Sequence, residues 1–167
     1  MRLPHSVVIM GVAGCGKSSL GDAVAKRTGW PMIEGDDFHS EENRARMRAG
    51  VALTDADREG WLQTLASELR SHTQGAVLTC SALKRAYRDT LRAASPQLRF
   101  VFLEITREEA LRRIQARSGH FFPAQLLDSQ FATLEVPHDE RDVLALHAEL
   151  PRAKLLDRTM EWLTKSS

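Results

Sequence analysis

Cysteine is almost missing from this chain: of 167 residues only Cys15 and Cys80 carry a thiol. Two cysteines make no disulfide framework, and neither stands in a spacing that suggests a zinc site. A reducing compartment is their simplest setting, so a cytoplasmic protein is expected. Net charge is close to absent at +1. No global field therefore draws in nucleic acid or a membrane surface, and neither is expected as a partner. No apolar run approaches the ~20 residues of a membrane span. The first strand is expected within a few residues of Met1, which leaves no space for a signal peptide. Internal repeats, low-complexity tracts and interdomain linkers are missing too, and the length fits one domain over residues 1–167. Hydrophobic residues at 43% are enough for a real core.

What the chain does contain is a phosphate-binding signature. Gly11-Val12-Ala13-Gly14-Cys15-Gly16-Lys17-Ser18 fits G-x-x-x-x-G-K-[ST] without a mismatch. Val7-Val8-Ile9-Met10 before it reads as a buried strand, and residues 19–27 after it read as a helix. In that context the glycines let backbone N–H groups converge on an anion, and the helix N-terminus adds partial positive charge. Lys17 would reach the β- and γ-phosphates of a nucleotide such as ATP, and Ser18 would hold Mg²⁺.

The remaining pattern alternates strand and helix. Strands are expected at residues 6–10, 32–33, 76–80, 99–104 and 143–146, with helices between them and a last helix from about residue 152. Gly29 suits a left-handed helix cap, Ser40 an N-cap, Thr54 to Asp57 a capping box with Asp for Glu, and Thr106 to Glu109 a full one. Ser81 is expected to cap a helix over residues 82–94. Such alternation implies an α/β fold with parallel strands and right-handed crossovers, its ligands at the carboxyl ends of the strands.

That rule selects the side chains to weigh. Glu34, Asp36 and Asp37 follow the second strand. Residues i and i+2 of an extended segment point the same way, so Glu34 and Asp36 can both face the site. Asp36 is assigned as the base that orients an acceptor hydroxyl and Glu34 as an outer-shell Mg²⁺ partner, against the plainer reading of a solvated acidic turn. Lys84 and Arg88 are four apart at an expected helix start, where cations oppose the dipole; an anion such as a substrate carboxylate would explain them, as would a solvated basic face. Arg46 is weighed as a further substrate contact or a surface residue. Arg113 and Arg117 precede Gly119-His120-Phe121-Phe122; Arg117 either closes over the phosphates on a mobile flap or ends a surface helix. His39 and His120 are set beside the substrate, although structural hydrogen bonding is the ordinary place of such histidines.

The residues also resemble a family. Gly35-Asp36-Asp37-Phe38-His39, Leu53-Thr54-Asp55-Ala56-Asp57-Arg58, Cys80-Ser81-Ala82-Leu83-Lys84, Gly119-His120-Phe121-Phe122 and Gln130-Phe131-Ala132-Thr133-Leu134-Glu135 are similar to stretches of the small gluconokinases of the P-loop kinase superfamily. Those kinases often have Asp where this chain has Glu34. The resemblance implies ATP-dependent phosphorylation of D-gluconate to 6-phospho-D-gluconate with Mg²⁺. It further implies a five-stranded parallel sheet of order 2-3-1-4-5 flanked by helices, a lid at about residues 117–135, and a homodimer. In the related shikimate kinases the acid in the place of Asp36 contacts substrate. Two rival readings are a kinase for another acceptor, such as shikimate or a nucleoside monophosphate, and a nucleotide-binding module without a small acceptor.

Overall fold

The computed structural model describes residues 6–117 and 122–165. The strands are β1 (Val7–Met10), β2 (Met32–Glu34), β3 (Val77–Thr79), β4 (Arg99–Glu104) and β5 (Val143–His147). All pair in parallel, in the order β2-β3-β1-β4-β5. That is the expected sheet. β1 and β3 are buried along their whole length, as unbroken apolar runs in a central parallel sheet must be. Register places Val8 between Leu78 and Phe100, all three without solvent exposure.

The helices are α1 (Lys17–Thr28), α2 (Glu41–Arg48), α3 (Asp55–Ser71), α4 (Arg85–Ala94), α5 (Arg107–Ala116), α6 (Ala124–Thr133) and α7 (Arg152–Thr164). The chain steps from β1 outward to β2, then back across the sheet through β3, β4 and β5. Right-handed crossovers therefore put α1 on one face and α3 and α4 on the other. The packing agrees, since α1 meets α7 and α3 meets α4. With this order the phosphate loop leaves the central strand where the connection reverses, which is where ligands gather on such sheets.

Local chemistry sets the boundaries. Gly29 closes α1 at φ 78°, Ser40 Oγ accepts from Asn43 N at 3.1 Å, and Thr54 and Asp57 form both halves of a capping box. At α5 only half a box forms. Thr106 Oγ1 accepts from Glu109 N at 3.2 Å, but the longer Glu109 side chain turns to Arg112 instead.

Two expectations are corrected. The chain beyond β2 is not extended: Gly35–Phe38 is a 3₁₀ turn. Gly35 is required there, because a Cβ would lie 2.2 Å from the Thr79 carbonyl oxygen. Its own carbonyl accepts from Trp61 Nε1 at 2.8 Å, tying the turn to α3. Gly35→Ala is expected to destabilise the fold by about 1–3 kcal/mol through this overpacking; a thermal melt matching wild type would show that the β2–β3 contact yields. The second correction concerns α4, which starts at Arg85, not Ala82, and has no side-chain cap. Ala82 takes φ +47°. The carbonyls of Ala82 and Leu83 accept from Arg88 Nη1 at 2.7 and 3.2 Å, so a buried side chain occupies acceptors that a longer helix would have used.

Candidate active site

The phosphate loop turns on three positive-φ glycines, Gly11, Gly14 and Gly16. Gly14 has no space for a side chain, since a Cβ would sit 2.8 Å from Ala110 O of α5. Lys17 Nζ crosses the start of the loop and donates to Gly11 O at 2.9 Å and Val12 O at 3.0 Å. Arg117, at the end of α5, borders the cavity over Gly14, Gly16, Lys17 and Ser18. Arg113 Nη2 donates to Ala148 O at 3.0 Å, tying α5 to the loop after β5. A further cavity runs from Gly14 and Gly16 past Arg113 and Arg117 to Ala148 and Leu150.

Ser18 does not stand alone. Its hydroxyl donates to Glu34 Oε2 at 3.1 Å, and the Thr79 hydroxyl donates to the same oxygen at 2.7 Å. The third strand thus presses the carboxylate from β2 against the end of the phosphate loop. Among the described residues no group of three or more His, Cys, Asp or Glu side chains could cage a metal. A hydroxyl with one carboxylate suits a hard cation that keeps most of its water.

A separate cavity opens beside the loop, lined among others by Asp36, His39, Arg58, Ser81 and Gln130. Ala13, Lys17, Asp36 and Phe122 belong to its wall and to the wall of the cavity over the phosphate loop. Asp36 therefore stands where the two meet. The 3₁₀ turn brings it there, by a different geometry from the extended alternation that predicted it.

The protonation of His39 follows from its neighbours. Arg46 can only donate, and its Nη1 lies 3.2 Å from Asn43 Oδ1; the Asp57 carbonyl can only accept, and lies 2.8 Å from Asn43 Nδ2. The amide is thereby fixed, so Asn43 Nδ2 donates to His39 Nδ1 at 3.4 Å and the ring proton sits on Nε2. Burial holds the imidazole below its usual range, outweighing the opposing pull of Asp36. It stacks on Trp61 with ring centres 4.2 Å apart. His39 is thus a neutral donor on the cavity wall.

Other predicted residues lie elsewhere. Arg46 pairs with Asp57 at 3.0 Å and acts on the cavity only through Asn43 and His39. Lys84 Nζ pairs with Asp55 at 3.0 Å on the exposed end of α3. Arg88 is fully buried; it bonds Glu140 at 3.0 and 2.6 Å and Glu135 O at 2.9 Å, besides the two carbonyls named above. No guanidinium face remains for a ligand. His120 lies outside the described residues.

Cavity residues were missed, Arg58, Ser81 and Gln130 among them, Ser81 being expected only as a helix cap. Arg58 sits in the second turn of α3, and a cation so near a helix start opposes the dipole, the same signal that drew attention to Lys84. Gln130 of α6 accepts the Ala13 N–H of the phosphate loop at 2.7 Å; nothing local marks a mid-helix glutamine for that place.

Comparison with known proteins agrees with this geometry. A family model described as shikimate kinase matches residues 13–149. A gluconokinase from Gluconobacter oxydans is 46% identical over 149 residues, covering 87% of this chain and 84% of that protein. The thermoresistant gluconokinase of Escherichia coli is 38% identical over 165 residues, covering 96% and 94%. The crystal structure of a gluconokinase from Sinorhizobium meliloti superposes with a TM-score of 0.90 at 43% identity, covering 98% of this chain and 93% of that one.

Proposed function

The chain belongs to the gluconokinases of the shikimate-kinase-like family, and on that premise we propose that it transfers the γ-phosphoryl group of ATP to the 6-hydroxyl of D-gluconate, giving ADP and 6-phospho-D-gluconate. The observation that carries the reading is the shared wall of Lys17 and Asp36 between the phosphate-loop cavity and the acid- and cation-lined cavity beside it. Phosphoryl transfer asks the protein mainly for position and electrostatics, with attacking and leaving oxygens in line.

In this reading Lys17 and the N–H groups of residues 11–18 hold the phosphates, and Arg117 adds positive charge to the transferring group. The nucleoside lies toward Ala148 and Leu150. Asp36 accepts the 6-hydroxyl proton. Arg58 and Lys17 are the cations on the acceptor cavity wall; with Lys17 engaged by ATP, Arg58 takes the gluconate carboxylate. His39 Nε2–H donates to a substrate hydroxyl, and Ser81 and Gln130 suit the rest of a polyol. Ser18 and Glu34 would hold Mg²⁺ with its waters, and the ion would neutralise charge on the transferring phosphoryl group. The described residues 122–135 of the expected lid cover the loop of a single domain, a reading supported by the bond from Gln130 of α6 to Ala13 N; residues 118–121 of that lid lie outside the described residues. The buried free thiols suit a cytoplasmic site, and family likeness supports a homodimer. No described helix is long and apolar enough to cross a membrane.

The test is ADP release from Mg·ATP with D-gluconate, shikimate or AMP added separately. Release dependent on gluconate, with 6-phosphogluconate as product, is the expected result. Release dependent on another acceptor would replace the acceptor, and ATP binding with only slow acceptor-independent hydrolysis would favour a nucleotide-binding module.

A further inference from the structure

Arg58 is not free on the cavity wall. Its Nη1 donates to the Tyr87 hydroxyl at 3.1 Å, and its guanidinium carbon lies 5.6 Å from the centre of the Tyr87 ring. A guanidinium can only donate, so the phenol oxygen accepts from Arg58 and its own proton goes elsewhere. It goes to Asp55 Oδ1, the first residue of α3. Asp55 is held from its other side by Lys84 Nζ, at 3.0 and 3.1 Å from the two carboxylate oxygens. Burial first, then the bond to Asp55, keeps the phenol above its usual range. The Tyr87 bond first, then Lys84, keeps Asp55 below its own. Both directions describe one arrangement, with a protonated phenol and an ionised carboxylate. The chain Lys84, Asp55, Tyr87, Arg58 leads from an exposed helix end, past a phenol only 6% exposed, to the cavity.

We propose that Tyr87, oriented by Asp55, is a positioning residue that fixes the Arg58 guanidinium against the acceptor cavity and so sets the affinity for a carboxylate-bearing acceptor. The proposal rests on the reading that Arg58 takes that carboxylate. A loose arginine must give up several rotors to grip an anion, whereas one already held by a hydrogen bond and a ring face has given them up beforehand. One N–H is used in the tether, and the fork geometry of the others is thereby set. The negative charge of Asp55 makes the phenol oxygen a stronger acceptor for Arg58. Lys84 acquires a role in this chain at a distance from substrate.

Tyr87→Phe keeps the ring and removes the oxygen. It is expected to raise KM for D-gluconate about tenfold, leaving kcat and KM for Mg·ATP within about twofold of wild type. Asp55→Asn should give a smaller rise in the same constant. Arg58→Ala should lower kcat/KM for gluconate about a hundredfold, and adding Tyr87→Phe to it should change nothing further. An unchanged gluconate KM in Tyr87→Phe, or an effect that persists in the Arg58→Ala background, overturns the positioning role while leaving the grip intact. An unchanged kcat/KM in Arg58→Ala overturns the grip itself. A drop in melting temperature with both KM values moving together would make Tyr87 a structural residue and also overturn the proposal.

Discussion

Replacing Asp36 with asparagine lowers kcat for D-gluconate by about 10²–10⁴-fold, while the dissociation constant for ATP stays close to that of the wild type. The amide has nearly the shape of the carboxylate and still accepts a hydrogen bond, so both cavities keep their walls. What it loses is the capacity to receive the hydroxyl proton and the negative charge that favours that proton's departure as the acceptor oxygen attacks. Asp36 borders both cavities beside Lys17, which places the loss on the transfer step itself. In the proposed mechanism ATP is held by the loop glycines, Lys17 and Arg117, none of which the substitution alters. Single-turnover mixing with saturating gluconate separates the cases. A rise in gluconate KM at constant kcat would make Asp36 a binding group, and unchanged constants would leave the phosphate loop as the whole catalytic apparatus.

Asp36 also shows how much could be read beforehand. The phosphate loop was legible because its chemistry is local: eight consecutive residues, a strand before and a helix after. The sheet order followed once the family resemblance was joined to the alternation of elements. Asp36 borders both cavities, though not by the extended geometry expected of it, since Gly35–Phe38 turns as a 3₁₀ helix. Lys84 and Arg88 were misplaced for a related reason. The four-residue spacing assumed a helix running from Ala82, and that helix starts three residues later. The partners that bury Arg88 come from Glu135 and Glu140, 47 and 52 residues further along, where no local pattern points back. The proton position on His39 was illegible too, because it depends on an Asn43 amide locked between α2 and α3. Local signals thus marked the phosphate loop, and long-range hydrogen bonding decided which cations border the second cavity.

Arg88→Ala tests that division most severely, with an expected loss of about 3–5 kcal/mol of unfolding free energy from a fold that commands about 5–15 in total. Removal of the guanidinium leaves the carbonyls of Ala82 and Glu135 without that donor and Leu83 O with only its bond from Glu135 N at 2.7 Å. It also leaves Glu140, itself only 8% exposed, with Arg92 alone at 2.6 Å. Burial pushes the Glu140 carboxyl up, yet the Arg88 and Arg92 bonds together hold it below its usual range. A depressed folded value means that the stabilisation is complete above about pH 4.3 and disappears as pH falls through the lower folded value. In Arg88→Ala the folded value rises, so denaturant midpoints should begin to fall at a higher pH than in the wild type. Arg88→Met joined to Glu140→Leu replaces the pair with apolar volume and should recover most of the stability. It cannot restore a donor to the turn that carries Ser81 and the left-handed Ala82, so KM for gluconate should stay raised in the refolded double variant. A double variant with wild-type KM would show that the turn holds itself. The contrary reading, a substrate grip by Arg88, makes an opposite forecast for Arg88→Lys: a higher gluconate KM at an unshifted melting temperature.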